Sequence, residues 1–142
     1  MKYTRYPTRN AVKNYFPLPN EIFCLDLCSG EIAVYAYLMY REDRKTFQCY
    51  PSYKTIGRAL KMSRNTVRKY VKSLEEKRLI STEPSSVTLK SGKKQNGNLV
   101  YTVLPIQEAV EHFYTRQLQS ATLSQKINDT KQYGTVCTKK AV

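Results

Sequence analysis

Residues 62–80 read MSRNTVRKYVKSLEEKRLI. On a helical wheel at about 100° per residue, Val71 and Leu74 fall within about 40° of Val67, with Tyr70 about 60° away. Arg64, Asn65, Arg68, Lys69 and Lys72 sweep an arc from about 60° to about 200° on one flank and the back, and Thr66 lies beyond them. Ser63 stands where an N-cap belongs. The pattern predicts a helix over residues 63–77 with one stripe held by a core and a broad basic face turned to solvent. Basic faces are usually only solvated, so the neighbouring sequence has to discriminate.

The discriminating segment lies just upstream. Ser52 is placed to cap a shorter helix with Ile56, Ala59 and Leu60 on one face, and Lys61-Met62 leaves room only for a turn. Ala59 is small where two such helices would cross closely. Two helices joined by a tight turn and sharing one core make a helix-turn-helix, whose second helix enters the DNA major groove. Near its N-terminus Arg64, Asn65, Thr66 and Arg68 are the candidates to reach base edges. Arg pairs bidentately with guanine and Asn with adenine. Lys69 and Lys72 suit phosphate. The helix N-termini at Ser52 and Ser63, with Lys54 and Thr55 beside the first, offer further backbone N–H groups to phosphate.

Downstream, Leu79–Glu83 and Leu99–Val103 read as two strands of a hairpin. Between them residues 84–98 are polar and basic. Lys90, Lys93, Lys94, Gln95 and Asn96 lie in or beside the tip, placed to meet a groove or backbone next to the recognition helix; the bland alternative is a solvated turn. Upstream, residues 1–20 hold Pro7, Pro17 and Pro19 and read as an extended arm packing through Tyr15, Phe16 and Leu18. Ser29 is placed to cap a helix whose residues 32–39 are apolar nearly all round, which predicts a central core position. After Pro105, Ile106, Ala109, Val110, Phe113 and Tyr114 mark an amphipathic helix over 105–119. From about Ser120 the composition predicts a mobile polar tail.

Charge agrees with this organisation. The chain has 142 residues, 24 Lys+Arg and 11 Asp+Glu, for a net charge of +13. Residues 51–83 carry 9 basic and 3 acidic side chains and residues 84–105 carry 3 and 0, so +9 of the +13 lies in 55 residues. A polyanionic partner, double-stranded DNA first of all, suits that concentration.

Other chemistries find little support. His112 alone supplies no acid–base pair, and no nucleophile elbow or phosphate-binding loop is present, so the expectation is a protein that is not an enzyme. Cys24, Cys28, Cys49 and Cys137 lack zinc-module spacing and read as reduced thiols, with Cys24 and Cys49 semi-buried. Asp26, Glu31, Glu42 and Asp43 read as caps and surface charge. Neither a metal, a cofactor nor a small-molecule ligand is expected. No apolar run approaches the roughly 20 residues of a membrane span, and the N-terminus does not read as a signal peptide, so the expected location is cytoplasmic, with nucleoid or plasmid. Twelve tyrosines are enough for a base-stacking platform, but Tyr35, Tyr70 and Tyr101 hold core-like positions, which speaks against one.

The segments PSYKTIGRALKMSRNTVRKYVKSLEEKRLI and NLVYTV, with FPLPNEIF and GEIAVYAYLMY upstream, resemble a winged helix-turn-helix domain of the kind found in bacterial plasmid and phage replication initiators and mobile-element regulators. The resemblance covers roughly residues 15–104. It implies an α+β fold, mainly α with a small β-hairpin wing, in a domain spanning 21–104. It also implies sequence-specific duplex DNA binding in transcriptional regulation or replication initiation, with Thr55, Arg64, Asn65, Thr66, Arg68 and Lys69 at DNA-facing places. Such domains often carry glycine in the turn and after the recognition helix, where this chain has Lys61 and Arg78. Two alternatives accompany it. The winged-helix surface can serve as a protein-interaction module, and helix 105–119 can pair with a second copy.

Overall fold

The computed structural model describes residues 15–139, with side chains described through residue 128. Residues 1–14 of the expected arm, and Cys137, lie outside the described side chains. A short 3-10 turn over Asn20–Cys24 leads into α1 (Ser29–Arg41). Then follow β1 (Gln48–Cys49), α2 (Tyr53–Leu60), α3 (Arg64–Glu76), β2 (Ile80–Glu83), β3 (Ser86–Thr88), β4 (Lys94–Asn96), β5 (Val100–Val103) and α4 (Ile106–Lys139).

The core forms where the apolar stripes of α1, α2 and α3 converge on one face of a small sheet. Val34, Tyr35 and Leu38 of α1, Ile56 of α2 and Val67, Val71 and Leu74 of α3 are buried together with Leu79, Ile80 and Tyr101. The sheet has the order β1-β5-β2, antiparallel throughout. Ile80 pairs with Val103 and Thr82 with Tyr101, so the alternation of side chains turns Ile80 and Tyr101 inward.

Helix α1 is a core helix on one face only. Tyr40 stays exposed, with its ring 6.0 Å from Phe16 and 6.2 Å from Tyr37. The N-cap of α1 is Cys28, not Ser29: Cys28 holds the extended conformation (ψ 165°) while its carbonyl accepts from Ile32 N at 3.1 Å. Ala59 is also corrected, since it faces solvent and Gly57 sits at the close approach. A Cβ on Gly57 would stand 2.5 Å from the Met62 carbonyl oxygen, which receives the chain as it turns between the helices.

The turn itself ends α2 on Lys61 in the left-handed region (φ 56°), with Met62 N donating to Gly57 O at 2.8 Å. The end of α3 repeats it: Arg78 has φ 58° and Leu79 N donates to Leu74 O at 3.0 Å. Glycine usually fills such positions; here two cations do.

The segment expected as a polar loop, 84–98, holds a second ladder. Ser86, Val87 and Thr88 pair with Asn96, Gln95 and Lys94, and the tip turns on Gly92 (φ 77°). A β-branched pair next to a glycine turn is enough to extend the hairpin. Helix α4 does not stop at 119 but continues to Lys139. Beyond Ser120 there is no proline, and hydroxyls that compete with a helix elsewhere bond back into it: Thr122 Oγ1 donates to Leu118 O and Ser124 Oγ to Ser120 O. No helix of the described residues is long and apolar enough to cross a membrane. With three packed helices, the α2-turn-α3 corner and a β-hairpin wing, the fold is an α+β winged helix-turn-helix.

Candidate nucleic-acid interface

The position of α3 is set before any ligand arrives. Val67, Val71 and Leu74 are buried, so the helix cannot rotate about its axis without exposing them. Its N-terminus is capped by Ser63, whose hydroxyl oxygen accepts from Thr66 N at 3.2 Å and lies 2.8 Å from Thr66 Oγ1. Ser52 repeats the arrangement at α2 with Thr55, at 3.1 and 2.9 Å. Both Ser-x-x-Thr caps follow from sequence, and in both the hydroxyl pair holds the first turn rigid.

Rotation being fixed, Arg64, Asn65, Arg68, Lys69 and Lys72 are all exposed. Among the described residues, Arg64, Arg68 and Lys72 have no carboxylate within ion-pairing distance. Lys69 sits 5.9 Å from the centroid of the Tyr70 ring, which leans it toward the α1 side of the helix. Arg64, Asn65 and Arg68 line a shallow concavity with Ser63 and with Tyr53, the first residue of α2. The geometry therefore brings together three of the four residues expected at base edges. The fourth, Thr66, is half-buried and already engaged with Ser63.

The wing is tied to this corner at its base. Asn98 Nδ2 donates to Tyr50 O at 3.2 Å, and Tyr50 directly precedes the Pro51-Ser52 entry to α2. Ser85 Oγ hydrogen-bonds Asn98 O across the hairpin, and Gly97 N donates to Ser85 O at 2.7 Å. Lys90 and Lys93 lie at the tip and Lys94 and Asn96 in β4, all exposed. Lys54 and Thr55 are exposed at the start of α2.

Tyr53 of this surface escaped the sequence reading, whereas Lys61 and Arg78 are marked there by the absent glycines. Tyr53 carries an aromatic ring into the concavity, and its place one residue after a capping serine is the available signal. Lys61 and Arg78 bracket α3 as exposed cations. The missing glycines at those positions point to them, although only coordinates show that the backbone keeps the glycine geometry.

Residues 25–80 match the family model described as a helix-turn-helix domain. That match spans α1 through α3, and the hairpin after it supplies the wing, so the chain carries a winged helix-turn-helix DNA-binding domain. No curated protein matches the chain. Among solved structures, the chain is similar to a possible transcriptional regulator from Methanosarcina mazei Go1, at 21% identity over 76% of this chain and 83% of that chain, with a TM-score of 0.48. It is also similar to the S. aureus MepR–DNA complex, at 17% identity over 82% and 86% of the two chains, with a TM-score of 0.39. A third likeness is to Staphylococcus aureus MarR in complex with salicylate and kanamycin, at 18% identity over 83% and 78%, with a TM-score of 0.41.

Proposed function

We propose that this protein regulates transcription or replication initiation, in the setting of a bacterial mobile element, by binding a specific duplex DNA site. Helix α3 enters the major groove with Arg64, Asn65 and Arg68 toward base edges. Lys69, Lys72, Lys54, Thr55 and the capped N-termini at Ser52 and Ser63 meet phosphates. Lys90, Lys93, Lys94 and Asn96 of the wing lie along the adjacent backbone or groove. The observation that carries this reading is the locked rotation of α3, which leaves three adjacent DNA-matching side chains exposed and two of them, both arginines, without a carboxylate partner among the described residues. The mobile-element setting rests on the sequence resemblance described above.

The test is Arg68→Glu. Arg68 lies off the buried stripe, so the variant keeps the wild-type circular dichroism and melting curve. Anisotropy with the preferred duplex, selected from a random pool, then reads the interface. A sharp loss of affinity is expected. Unchanged affinity would mean that a different face reads DNA.

A further inference from the structure

Residues 86–96 form a ribbon that stands clear of the body. Every one of them is exposed, and neither β3 nor β4 joins the three-stranded sheet. The ladder sets Val87 opposite Gln95, and Leu89 N donates to Lys93 O at 3.0 Å, which carries the same register to the tip. Opposite residues share a face and successive ones alternate. Val87, Leu89, Lys93 and Gln95 therefore lie on one side of the ribbon, with Thr88 and Lys94 on the other. Gly97 belongs to the first side, since a Cβ there would stand 3.1 Å from Val87 Cγ2. Val87 is 55% and Leu89 44% exposed, and neither packs on the core.

A single exposed leucine is ordinary. Two apolar side chains two residues apart on one face of a free ribbon are different, because a two-stranded hairpin is marginal in water until something packs on it. The surrounding charge says what that is. Residues 84–105 carry three lysines and no acid, with Lys90 next to Leu89 and Lys93 across the strand from it. Among the described residues, Lys90, Lys93 and Lys94 have no carboxylate within ion-pairing distance. An apolar tip between such cations fits a surface with anionic rims and an apolar interior. A nucleic-acid groove has both, in its phosphates and in the sugar and base faces between them. The tip is also slim. It turns on Gly92, whose N–H donates to Leu89 O at 2.9 Å, and a Cβ on Gly92 would meet nothing within 4 Å.

With α3 in the major groove, a wing rooted beside the start of α2 crosses one phosphate ridge and meets the minor groove. That groove is only about 6 Å wide and is poor in base-specific groups. An apolar side chain enters it by parting a base step, and steps differ in how easily they part. We infer that Leu89, backed by Val87, is an apolar wedge that opens the minor groove beside the α3 site, so that the protein selects its site in part by the deformability of the flanking base pairs. This rests on the DNA-binding reading and adds an uncharged contact to the lysines of the wing.

Leu89→Ser in the full chain tests the inference. Leu89 takes no part in the core, so the variant should keep the wild-type melting curve. The probes are two duplexes with the same selected α3 site, one flanked by TA steps, which kink easily, and one by A-tracts, which are stiff. Energy transfer between dyes at the duplex ends reports bending. Wild type is expected to bend the TA duplex and to bind it roughly tenfold more tightly than the A-tract duplex, the scale of one base-pair preference. Leu89→Ser should lose the bend and the preference while the slope of log K against log salt stays the same, because the lost contact carries no charge. Leu89→Met should restore both. Lys93→Gln should do the reverse, with a slope shallower by about 0.9 and the preference intact. An unbent wild-type complex, or a wild type that binds both duplexes equally, overturns the inference. So does a Leu89→Ser protein that matches wild type on both, which would leave the apolar face to a protein partner. Arg68→Glu keeps the two readings apart. If it loses both duplexes and Leu89→Ser loses neither, only the wedge fails; if it loses neither, the α3 reading fails and the wedge falls with it.

Discussion

Lys77 Nζ lies 2.8 Å from Glu31 Oε2 and also donates to the Asp26 carbonyl at 3.1 Å. The ammonium at the end of α3 is thereby fastened to the start of α1, and Glu31 is nearly buried in the process. One residue earlier in α1, the Tyr70 ring fills the space over Gly30, where a Cβ would stand 2.3 Å from Tyr70 Cζ. Two contacts of different kinds hold the recognition helix against its scaffold, at a distance from the residues proposed to read DNA.

Removing Lys77 leaves the Glu31 carboxylate poorly solvated and without its partner. Lys77→Ala is therefore expected to destabilise the fold by about 1–3 kcal/mol in urea unfolding, the range for losing a charged hydrogen-bond partner. Glu31→Gln should cost less, because it removes the charge together with the need to pair it. Both should bind DNA like wild type at temperatures where they remain folded, since neither residue faces the groove. A loss of affinity as large as that of Arg68→Glu would place Lys77 at the interface instead.

Gly57 fixes the corner between α2 and α3. A Cβ there meets backbone, the Met62 carbonyl, which cannot swing aside as a side chain tip could. Gly57→Ala should cost about 1–3 kcal/mol, as overpacking typically does, despite alanine's better helix propensity. Ala59→Gly, at the exposed neighbour, should cost only the propensity difference of about 1 kcal/mol. A melting comparison of the two variants checks the assignment of the close approach.

That assignment shows where sequence reading ends. The Val67, Val71 and Leu74 stripe, the caps at Ser52 and Ser63 and the pairing of β2 with β5 were legible, because each follows from local periodicity or turn chemistry. The choice of Gly57 over Ala59 at the crossing was not, since it depends on which way the turn carries the chain. The end of α4 was not legible either: a polar, serine-rich stretch can be helix or coil, and composition alone does not choose between them. The basic face of α3 was readable as a pattern, whereas the lack of an ion-paired carboxylate for Arg64 and Arg68 among the described residues needed coordinates.

Buried Cys49 and exposed Cys24 and Cys28 should differ in reactivity; Cys24 is not semi-buried as expected from sequence. Burial, with the Glu42 carboxylate adding to it, pushes the Cys49 thiol up to about 11. Its Sγ faces the Leu38 carbonyl at 3.6 Å. Alkylation followed by peptide mapping should label Cys24 and Cys28 in the native protein and Cys49 only after unfolding. Labelling of Cys49 at a comparable native rate would contradict the packing around β1.

Glu42 gives stability a dependence on pH. One of its carboxylate oxygens is buried without a hydrogen-bond partner among the described residues, and desolvation raises its pKa against the opposing pull of Arg44. A carboxyl raised on folding binds more protons in the native state than in the unfolded one over that interval. Its contribution to stability is therefore present below the unfolded-state pKa and lost as pH rises through the folded-state value. Glu42→Gln should consequently gain on wild type as pH rises through that interval. Parallel urea midpoints of the two proteins over acidic to neutral pH check the sign, and a gap that widens toward acid would refute it.

Lys61 and Arg78 hold left-handed conformations that cost a non-glycine residue about 1–2 kcal/mol, yet both add positive charge at the ends of α3. Replacing either with glycine separates the two effects. The backbone strain is relieved, so Arg78→Gly and Lys61→Gly should each be more stable than wild type by about 0.5–1 kcal/mol after the entropy that glycine adds to the unfolded chain. If the cations meet phosphate, each variant should also bind the duplex more weakly, and the slope of log K against log salt should become shallower by about 0.9. For a wild type making about six phosphate contacts, that slope starts near −5. Higher stability with an unaltered slope would mean that the strained cations lie off the DNA, and the reason for their presence would have to be sought in the turns themselves.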